Sequence, residues 1–225
     1  MGQLRIVSTS GERFKDRRHA GQALAAELPH LRGVGVVVLG VPRGGIIVAR
    51  EMAEALAAEL DIVLAHKLRT PGHPELAMGS VAENGQMFLN DQVVAMIGAR
   101  QEHIEHERKV QKSELDRRAA AIRAVRPKVP LRQRTVVVTD DGVATGATTQ
   151  AALWAVRQEE PSRLVAAIPV GSEETVHRLA EDADELVCLQ APPFFSAVGQ
   201  FYEQFEPVEE REVLETLRRE AQRKA

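Results

Sequence analysis

Two adjacent carboxylates, Asp140 and Asp141, follow an apolar run that ends at Thr139. The run is short and rich in β-branched residues, so it predicts a buried strand over residues 135–139. Parallel sheets bind ligands at the carboxyl ends of their strands, which is where these two acids fall. Ionised carboxylates only accept hydrogen bonds, so the pair suits the vicinal hydroxyls of a sugar or a hydrated divalent cation.

A loop rich in glycine and threonine follows the two acids and leads into a predicted helix over residues 147–158. Gly142 and Gly146 allow the backbone to turn tightly and to approach a ligand closely. The first N–H groups of the helix, and the positive end of its dipole, would point at an anion. These features indicate an anion site beside a clamp for hydroxyl groups. A Walker-type nucleotide loop is excluded because no Gly-Lys-Ser/Thr follows.

The elements that must position this motif alternate between strand and helix. They predict an α/β fold with a mainly parallel sheet flanked by helices, in a single domain over residues 1–225. We expect an insertion at about 67–125 that consists of a flexible loop, a hairpin turning at Asn84-Gly85 and a long charged helix. A small hood at about 191–206 and a terminal helix at about 208–223 complete the chain. The other strands are predicted over residues 34–41, 61–66, 163–170 and 185–189.

The segment 136–149 resembles the phosphoribosyl-pyrophosphate motif of type I phosphoribosyltransferases: an apolar strand, two acidic residues, then a loop ending Thr-Gly-x-Thr. The resemblance implies that family's fold and the transfer of a 5-phosphoribosyl group from phosphoribosyl pyrophosphate to a small-molecule nitrogenous acceptor, with release of pyrophosphate. It implies that the two acids hold the ribose hydroxyls and reach Mg²⁺ through water, while the loop wraps the 5′-phosphate. The residues assigned to the ribose and 5′-phosphate are Asp140, Asp141, Gly142, Val143, Ala144, Thr145, Gly146, Ala147, Thr148 and Thr149.

A second segment, residues 40–45, lies where this family places its pyrophosphate loop. Its glycines would expose backbone N–H groups, and Arg43 would supply a bidentate donor. The family often has a non-proline cis peptide in this loop, which we expect here at residues 41–42 or 43–44. The residues assigned to the pyrophosphate are Pro42, Arg43, Gly44, Gly45 and Lys67.

Two basic residues, Lys67 and Arg69, are the candidates for a catalytic role. Similar enzymes often place a basic residue at the end of the next strand, where it reaches the pyrophosphate. Residues 69–77 match the position of the family's flexible catalytic loop, which closes over the reacting centre and excludes water. The alternative is that both side chains are solvated surface charges without a function in catalysis.

Two features of the sequence bear on the class of acceptor. Members of the family that act on 6-oxopurines carry an aspartate at the position of Ala144. The adenine and orotate branches lack this aspartate, as this chain does, which argues against a hypoxanthine or guanine acceptor. The aromatic cluster after the last strand is where the family's hood covers the acceptor. Its candidates for stacking on a planar ring are Phe194, Phe195 and Tyr202, and the alternative is that they fill a small core.

Composition sets broader expectations. The net charge of −3 gives no sign of a nucleic-acid partner, and no apolar run is long enough to span a membrane. A single cysteine and the lack of a signal peptide favour the cytoplasm. The narrow apolar stripe of the long charged helix raises the option of a homodimer. The competing function is a non-catalytic regulator that binds phosphoribosyl pyrophosphate or a nucleotide in the same pocket.

Overall fold

The computed structural model describes residues 2–33 and 35–223, with the side chains of Pro74 and Glu75 excepted. Within these ranges the chain forms strands β1 (Gln3–Ser8), β2 (Val37–Gly40), β3 (Glu59–Ile62), β4 (Ala65–Thr70), β5 (His73–Ala82), β6 (Met87–Leu89), β7 (Thr135–Thr139), β8 (Arg163–Val170) and β9 (Glu185–Gln190). The helices are α1 (Arg17–Ala26), α2 (Gly45–Leu56), α3 (Asp91–Ile97), α4 (Gln101–Arg123), α5 (Ala147–Arg157), α6 (Glu173–Ala180) and α7 (Glu210–Arg223).

Six of these strands form one sheet in the order β1-β9-β8-β7-β2-β3, and every neighbouring pair is parallel. The predicted α/β class with a mainly parallel sheet is therefore confirmed. Strand β7 shows why both faces are apolar: Val137 belongs to the core under α1, α2 and α7, while Val136 and Val138 belong to the core under α5 and α6. Successive side chains of a strand point to opposite faces, so a continuous valine run is buried on both sides.

The prediction that residues 69–77 form an irregular loop is wrong. Strands β4 and β5 pair antiparallel, with Thr70 opposite His73, and form a second sheet with β6. Pro71 and Gly72, which suggested irregular structure, form the turn of this hairpin, and Gly72 has a φ of +75°. Leu68 is buried in a small core with side chains of β5 and α4, which gives the hairpin an apolar face.

Other differences are two elements that were not predicted and one shifted boundary. Strand β1 and helix α3 were not predicted, and the predicted strand over 61–66 joins the end of β3 to the start of β4. The hairpin about Asn84-Gly85 is confirmed, since Val81 of β5 pairs with Met87 of β6. Residue 34, the first of another predicted strand, lies outside the described residues.

Helix α4 is anchored to the parallel sheet by one arginine. Arg123 donates from Nη1 to Asp61 Oδ1 over 2.8 Å and from Nε to Glu83 Oε2 over 2.8 Å. Asp61 belongs to β3 and Glu83 follows β5, so the bridge ties both sheets to the end of the helix. None of the described helices combines the length and the apolar character that a membrane crossing requires.

Candidate functional site

Two loops leave the parallel sheet side by side. Gly40, the last residue of β2, pairs with Thr139, the last residue of β7. Val41 N donates to Thr139 O over 2.8 Å, so the pairing continues one residue beyond the strands. The loop before α2 and the acidic motif therefore begin at adjacent points of the carboxyl edge, as ligand sites of parallel sheets do.

The two loops are in direct contact through glycines. A Cβ added to Gly44 would lie 1.8 Å from Asp141 Oδ2, and one added to Gly45 would lie 2.9 Å from Asp140 Cα. Gly44 has ordinary helical dihedral angles, with φ −64° and ψ −37°, so space rather than backbone conformation requires glycine there. The cis peptide in this loop joins Pro42 to Arg43, not either of the two bonds expected from the sequence.

Asp140 is held by hydrogen bonds from its own motif. Its Oδ1 accepts from Asp141 N over 2.8 Å, and its Oδ2 accepts from Thr149 Oγ1 over 3.2 Å. Thr149 is buried, so its hydroxyl orients the carboxyl group rather than facing a ligand. Burial, followed by the charge of neighbouring Asp141, raises the pKa of Asp140 well above its ordinary range.

Asp141 is held by residues far away in the chain. Arg17, in the first turn of α1, donates from Nε to Asp141 Oδ2 over 2.7 Å. Tyr202 donates from its hydroxyl to the main-chain oxygen of Asp141 over 2.6 Å. Nothing in the sequence singled out Arg17, because its role depends on a contact between distant segments that no local pattern encodes.

Helix α5 begins at the end of the acidic motif without a side-chain cap. Its N-cap is Gly146, with a φ of +69°, whereas Asp16, Asn90 and Ser172 cap α1, α3 and α6 through their side chains. The first backbone N–H groups of a helix have no partner within it, so an anion can take the place of a cap. This is the position that the sequence assigned to the 5′-phosphate.

The rest of the loop is tied to its surroundings. Val143 N donates to Val170 O over 2.8 Å, and Thr175 Oγ1 donates to Ala144 O over 2.7 Å. The side chains of Val143 and Ala147 are buried, so they support the loop. The assigned residues that are exposed to solvent are Ala144, Thr145 and Thr148.

Three residues assigned to the pyrophosphate or to catalysis, Pro42, Lys67 and Arg69, line one pocket of about 260 Å³. Thr148, assigned to the ribose and 5′-phosphate, lines the same pocket. Lys67 was predicted at the end of a strand of the parallel sheet. It lies instead within β4 of the antiparallel sheet. Arg69 forms an ion pair, with its Nε 2.8 Å from Glu107 Oε1. Arg43 lines an adjacent opening of about 590 Å³. The first pocket therefore joins three segments that the sequence had only associated by resemblance.

The aromatic residues of the hood have different environments. Phe194 is 86% exposed, whereas the half-buried Phe195 stacks on Phe201 with 5.3 Å between ring centroids. Tyr202 is 1% exposed, so its ring belongs to the core and is not available to stack on an acceptor. That part of the predicted acceptor set is corrected: apolar contacts and the bond to Asp141 account for Tyr202.

Comparison with known proteins gives a consistent result. The family model described as "Phosphoribosyl transferase domain" matches residues 17–206. Two proteins of Mycobacterium tuberculosis, from strains CDC 1551 and H37Rv, share 44% identity over 209 residues, which is 92% of this chain, and each is named "Putative phosphoribosyl transferase". The chain covers 46% of the length of these relatives.

A solved structure is also similar. The crystal structure of TT1426 from Thermus thermophilus aligns with a TM-score of 0.86 and 46% identity, covering 92% of this chain and 98% of the other. The similarity of fold thus extends over most of both chains, and the matched family segment begins at Arg17 and contains both loops of the site. The chain belongs to the phosphoribosyl transferase family.

Proposed function

We propose that this protein transfers the 5-phosphoribosyl group of phosphoribosyl pyrophosphate to a nitrogenous small molecule and releases pyrophosphate. One observation carries the proposal: the acidic pair Asp140-Asp141 lies in contact with the Gly44-Gly45 turn on one side and leads to the uncapped start of α5 on the other. The three parts of the donor, its pyrophosphate, ribose and 5′-phosphate, correspond to these three neighbouring elements.

The reaction asks the protein to hold both ends of the donor while the bond at C1 of the ribose breaks. Positive charge develops on the ribose and negative charge on the departing pyrophosphate, so fixed groups aimed at both lower the barrier. The carboxylate of Asp141, oriented by Arg17, suits the ribose side. Lys67 and Arg69, which line the pocket beside Pro42, suit the pyrophosphate side.

Magnesium fits this site as a partner of the donor rather than of the protein alone. Across the described ranges, no group of three or more acidic, histidine or cysteine side chains is arranged to hold a metal ion. Two adjacent carboxylates are enough for Mg²⁺ that keeps several waters and takes its other ligands from phosphate oxygens. Asp140 and Asp141 would contact it through water, and the ion would supply charge that stabilises the departing pyrophosphate.

The acceptor is proposed to bind between the acidic motif and the hood. Ala144 is exposed and offers no side chain that could hydrogen-bond to an acceptor. Phe194 presents an exposed ring that could stack on a planar acceptor. A nitrogenous ring compound therefore suits the site better than a flexible polar acceptor.

The test is release of labelled pyrophosphate from phosphoribosyl pyrophosphate and Mg²⁺ in the presence of a panel of nitrogenous bases and amines. We expect one class of acceptor to stimulate release in the wild type and not in the Asp140→Asn/Asp141→Asn double variant. Lys67→Ala should lower turnover more than it weakens donor binding, because a catalytic charge acts mainly in the transition state. Tight, magnesium-dependent donor binding without release for any acceptor would indicate the non-catalytic regulator instead.

A further inference from the structure

His66 lies on β4 next to Lys67 and lines both openings of the site. One is the pocket of about 260 Å³ that contains Pro42 and Thr148, and the other is the adjacent opening of about 590 Å³ that contains Arg43. Its side chain is 27% exposed. The imidazole is therefore placed between the pyrophosphate loop and α4, although no motif in the sequence marked it.

A chain of hydrogen bonds fixes which ring nitrogen of His66 carries the proton. Arg69 Nε and Gln111 Nε2 both donate to Glu107 Oε1, over 2.8 Å and 3.0 Å. Because an ionised carboxylate only accepts, Gln111 must turn its amide nitrogen to Glu107 and its oxygen to His66. His66 Nδ1 lies 3.1 Å from Gln111 Oε1, so Nδ1 is the donor. Nε2 is then the ring atom left to interact with a molecule in the pocket.

The ionisation of this chain is consistent with that tautomer. Burial opposes the charge of Glu107, but the hydrogen bonds from Arg69 outweigh it and lower the pKa of Glu107. Burial lowers the pKa of His66, although Gln111 and Glu114 act in the opposite direction. The imidazole is therefore neutral at neutral pH, with a lone pair on Nε2.

The charged groups around His66 come from four elements and are predominantly basic. The cations on β4, the pyrophosphate loop and α4 are Arg43, Lys67, Arg69, Arg117 and Arg118. The acids on α4 and α7 are Glu107, Glu114 and Glu210. Glu107 is paired with Arg69 and Glu210 with Arg118, so the acids offset only part of this positive charge.

We propose that His66 is a proton-linked ligand of the pyrophosphate group: its Nε2 takes up a proton from solvent when the polyanion enters the pocket. The N–H formed there donates to a phosphate oxygen, while Nδ1 keeps its bond to Gln111. The proposal rests on the assignment of this pocket to pyrophosphate. His66 lies outside both donor-binding loops. Affinity for pyrophosphate should fall as the pH rises, because protonating His66 then costs more free energy.

The experiment is calorimetric titration of inorganic pyrophosphate with Mg²⁺ into the wild type, His66→Gln and His30→Gln, in buffers of different ionisation enthalpy. The buffer dependence gives the number of protons taken up on binding. His30 is a matched control, because it contacts Glu185, the first residue of β9, and so lies at the amino ends of the strands, away from the carboxyl edge that holds the site. We expect the wild type and His30→Gln to take up the same number of protons and His66→Gln to take up fewer. His66→Gln should bind roughly tenfold more weakly at mildly acidic pH, since a charged hydrogen bond is lost.

A second measurement does not depend on the stability of any variant. In isotope-labelled wild type, the imidazole C2 proton of His66, assigned by through-bond correlation to its own backbone, should shift to its protonated position when pyrophosphate is added. Equal proton uptake and equal affinity in wild type and His66→Gln, or an unshifted resonance in a saturated complex, would overturn the role of His66. A wild type that binds no pyrophosphate would instead overturn the assignment of the pocket and, with it, part of the proposed function.

Discussion

Arg17 Nε and Asp141 Oδ2 lie 2.7 Å apart, and this ion pair joins the start of the first helix to the acidic motif. The two side chains are only 10% and 17% exposed. Arg17 also donates from Nη1 to Glu206 O over 2.9 Å, and its guanidinium lies 3.9 Å from the centre of the Phe205 ring. One arginine thus connects the carboxylate assigned to the ribose with the last residues of the hood.

Removing this arginine should affect stability and donor binding together. In Arg17→Met the Asp141 carboxylate stays largely buried without its partner, which we expect to cost about 3 kcal/mol of unfolding free energy. Donor affinity should fall, because the carboxylate is no longer oriented. Arg17→Lys should be intermediate, since an ammonium keeps the charge but not the planar set of donors. Urea denaturation and donor titration measure the two effects.

The neighbouring residue provides the control for that series. Arg18 is exposed and lies on the same helix, so Arg18→Met should change the unfolding free energy by less than about 0.5 kcal/mol. Donor binding that is equally weak in Arg17→Met and Arg18→Met would contradict a specific role for Arg17.

Replacing Asp140 should separate function from stability. The raised pKa means that the folded protein binds the proton of Asp140 more tightly than the unfolded chain does. The free energy of unfolding therefore falls as the pH rises from the unfolded pKa of Asp140 through its folded pKa. Asn keeps an oxygen for Asp141 N and cannot ionise. Asp140→Asn should therefore melt at a higher temperature than wild type at neutral pH. This gain in melting temperature should disappear as the pH is lowered toward the unfolded pKa of about 3.9. Donor affinity should be lost.

Thermal melts across a range of pH test this expectation. The exposed acid Asp116, whose side chain is 54% accessible and paired with Lys112, is the comparison. Asp116→Asn should show neither the gain in melting temperature nor the loss of donor binding. If Asp140→Asn melted below the wild type at neutral pH, the ionised carboxylate of Asp140 would not destabilise the folded protein.

Adding one methyl group at Gly44 should damage the donor site. The new Cβ would meet the Asp141 carboxylate at 1.8 Å and Arg17 Nε at 3.0 Å, and overpacking of this kind typically costs about 1–3 kcal/mol. Gly33 is the control, because it has open space around it and a φ of +77°. Gly33→Ala should lose stability through backbone strain alone and keep full donor affinity, whereas Gly44→Ala should lose affinity as well.

Cys188 should be unreactive while the protein is folded. It is fully buried, and burial raises the pKa of its thiol to about 12. The thiolate is the reactive form, so alkylation by iodoacetamide at mildly alkaline pH should be undetectable by mass spectrometry without denaturant and complete in urea. Modification of the folded protein at the rate of a small-molecule thiol would contradict this burial.

The sequence predicted best those elements whose residues all lie in the same kind of environment. Strands β7 and β8 are runs of apolar residues buried on both faces, and both were predicted with the bounds that the structure shows. The hairpin of β4 and β5 was missed because Pro71 and Gly72 fit a flexible loop as well as a two-residue turn, and only pairing with a distant partner decides between them. The same limit applies to the site, where acidic and glycine motifs are local but Arg17, His66 and the role of Tyr202 depend on tertiary contacts.

The contact between Gly44 and Asp141 also has a meaning for protein engineering. Each of the two loops is shaped to the other, so neither can be transplanted alone into a related scaffold whose facing loop carries a side chain at the contact point. Libraries that randomise the acidic motif while keeping the glycine turn, or the reverse, should yield mostly inactive members. Productive redesign of donor preference would have to vary both segments at once, together with the arginine that lies against them.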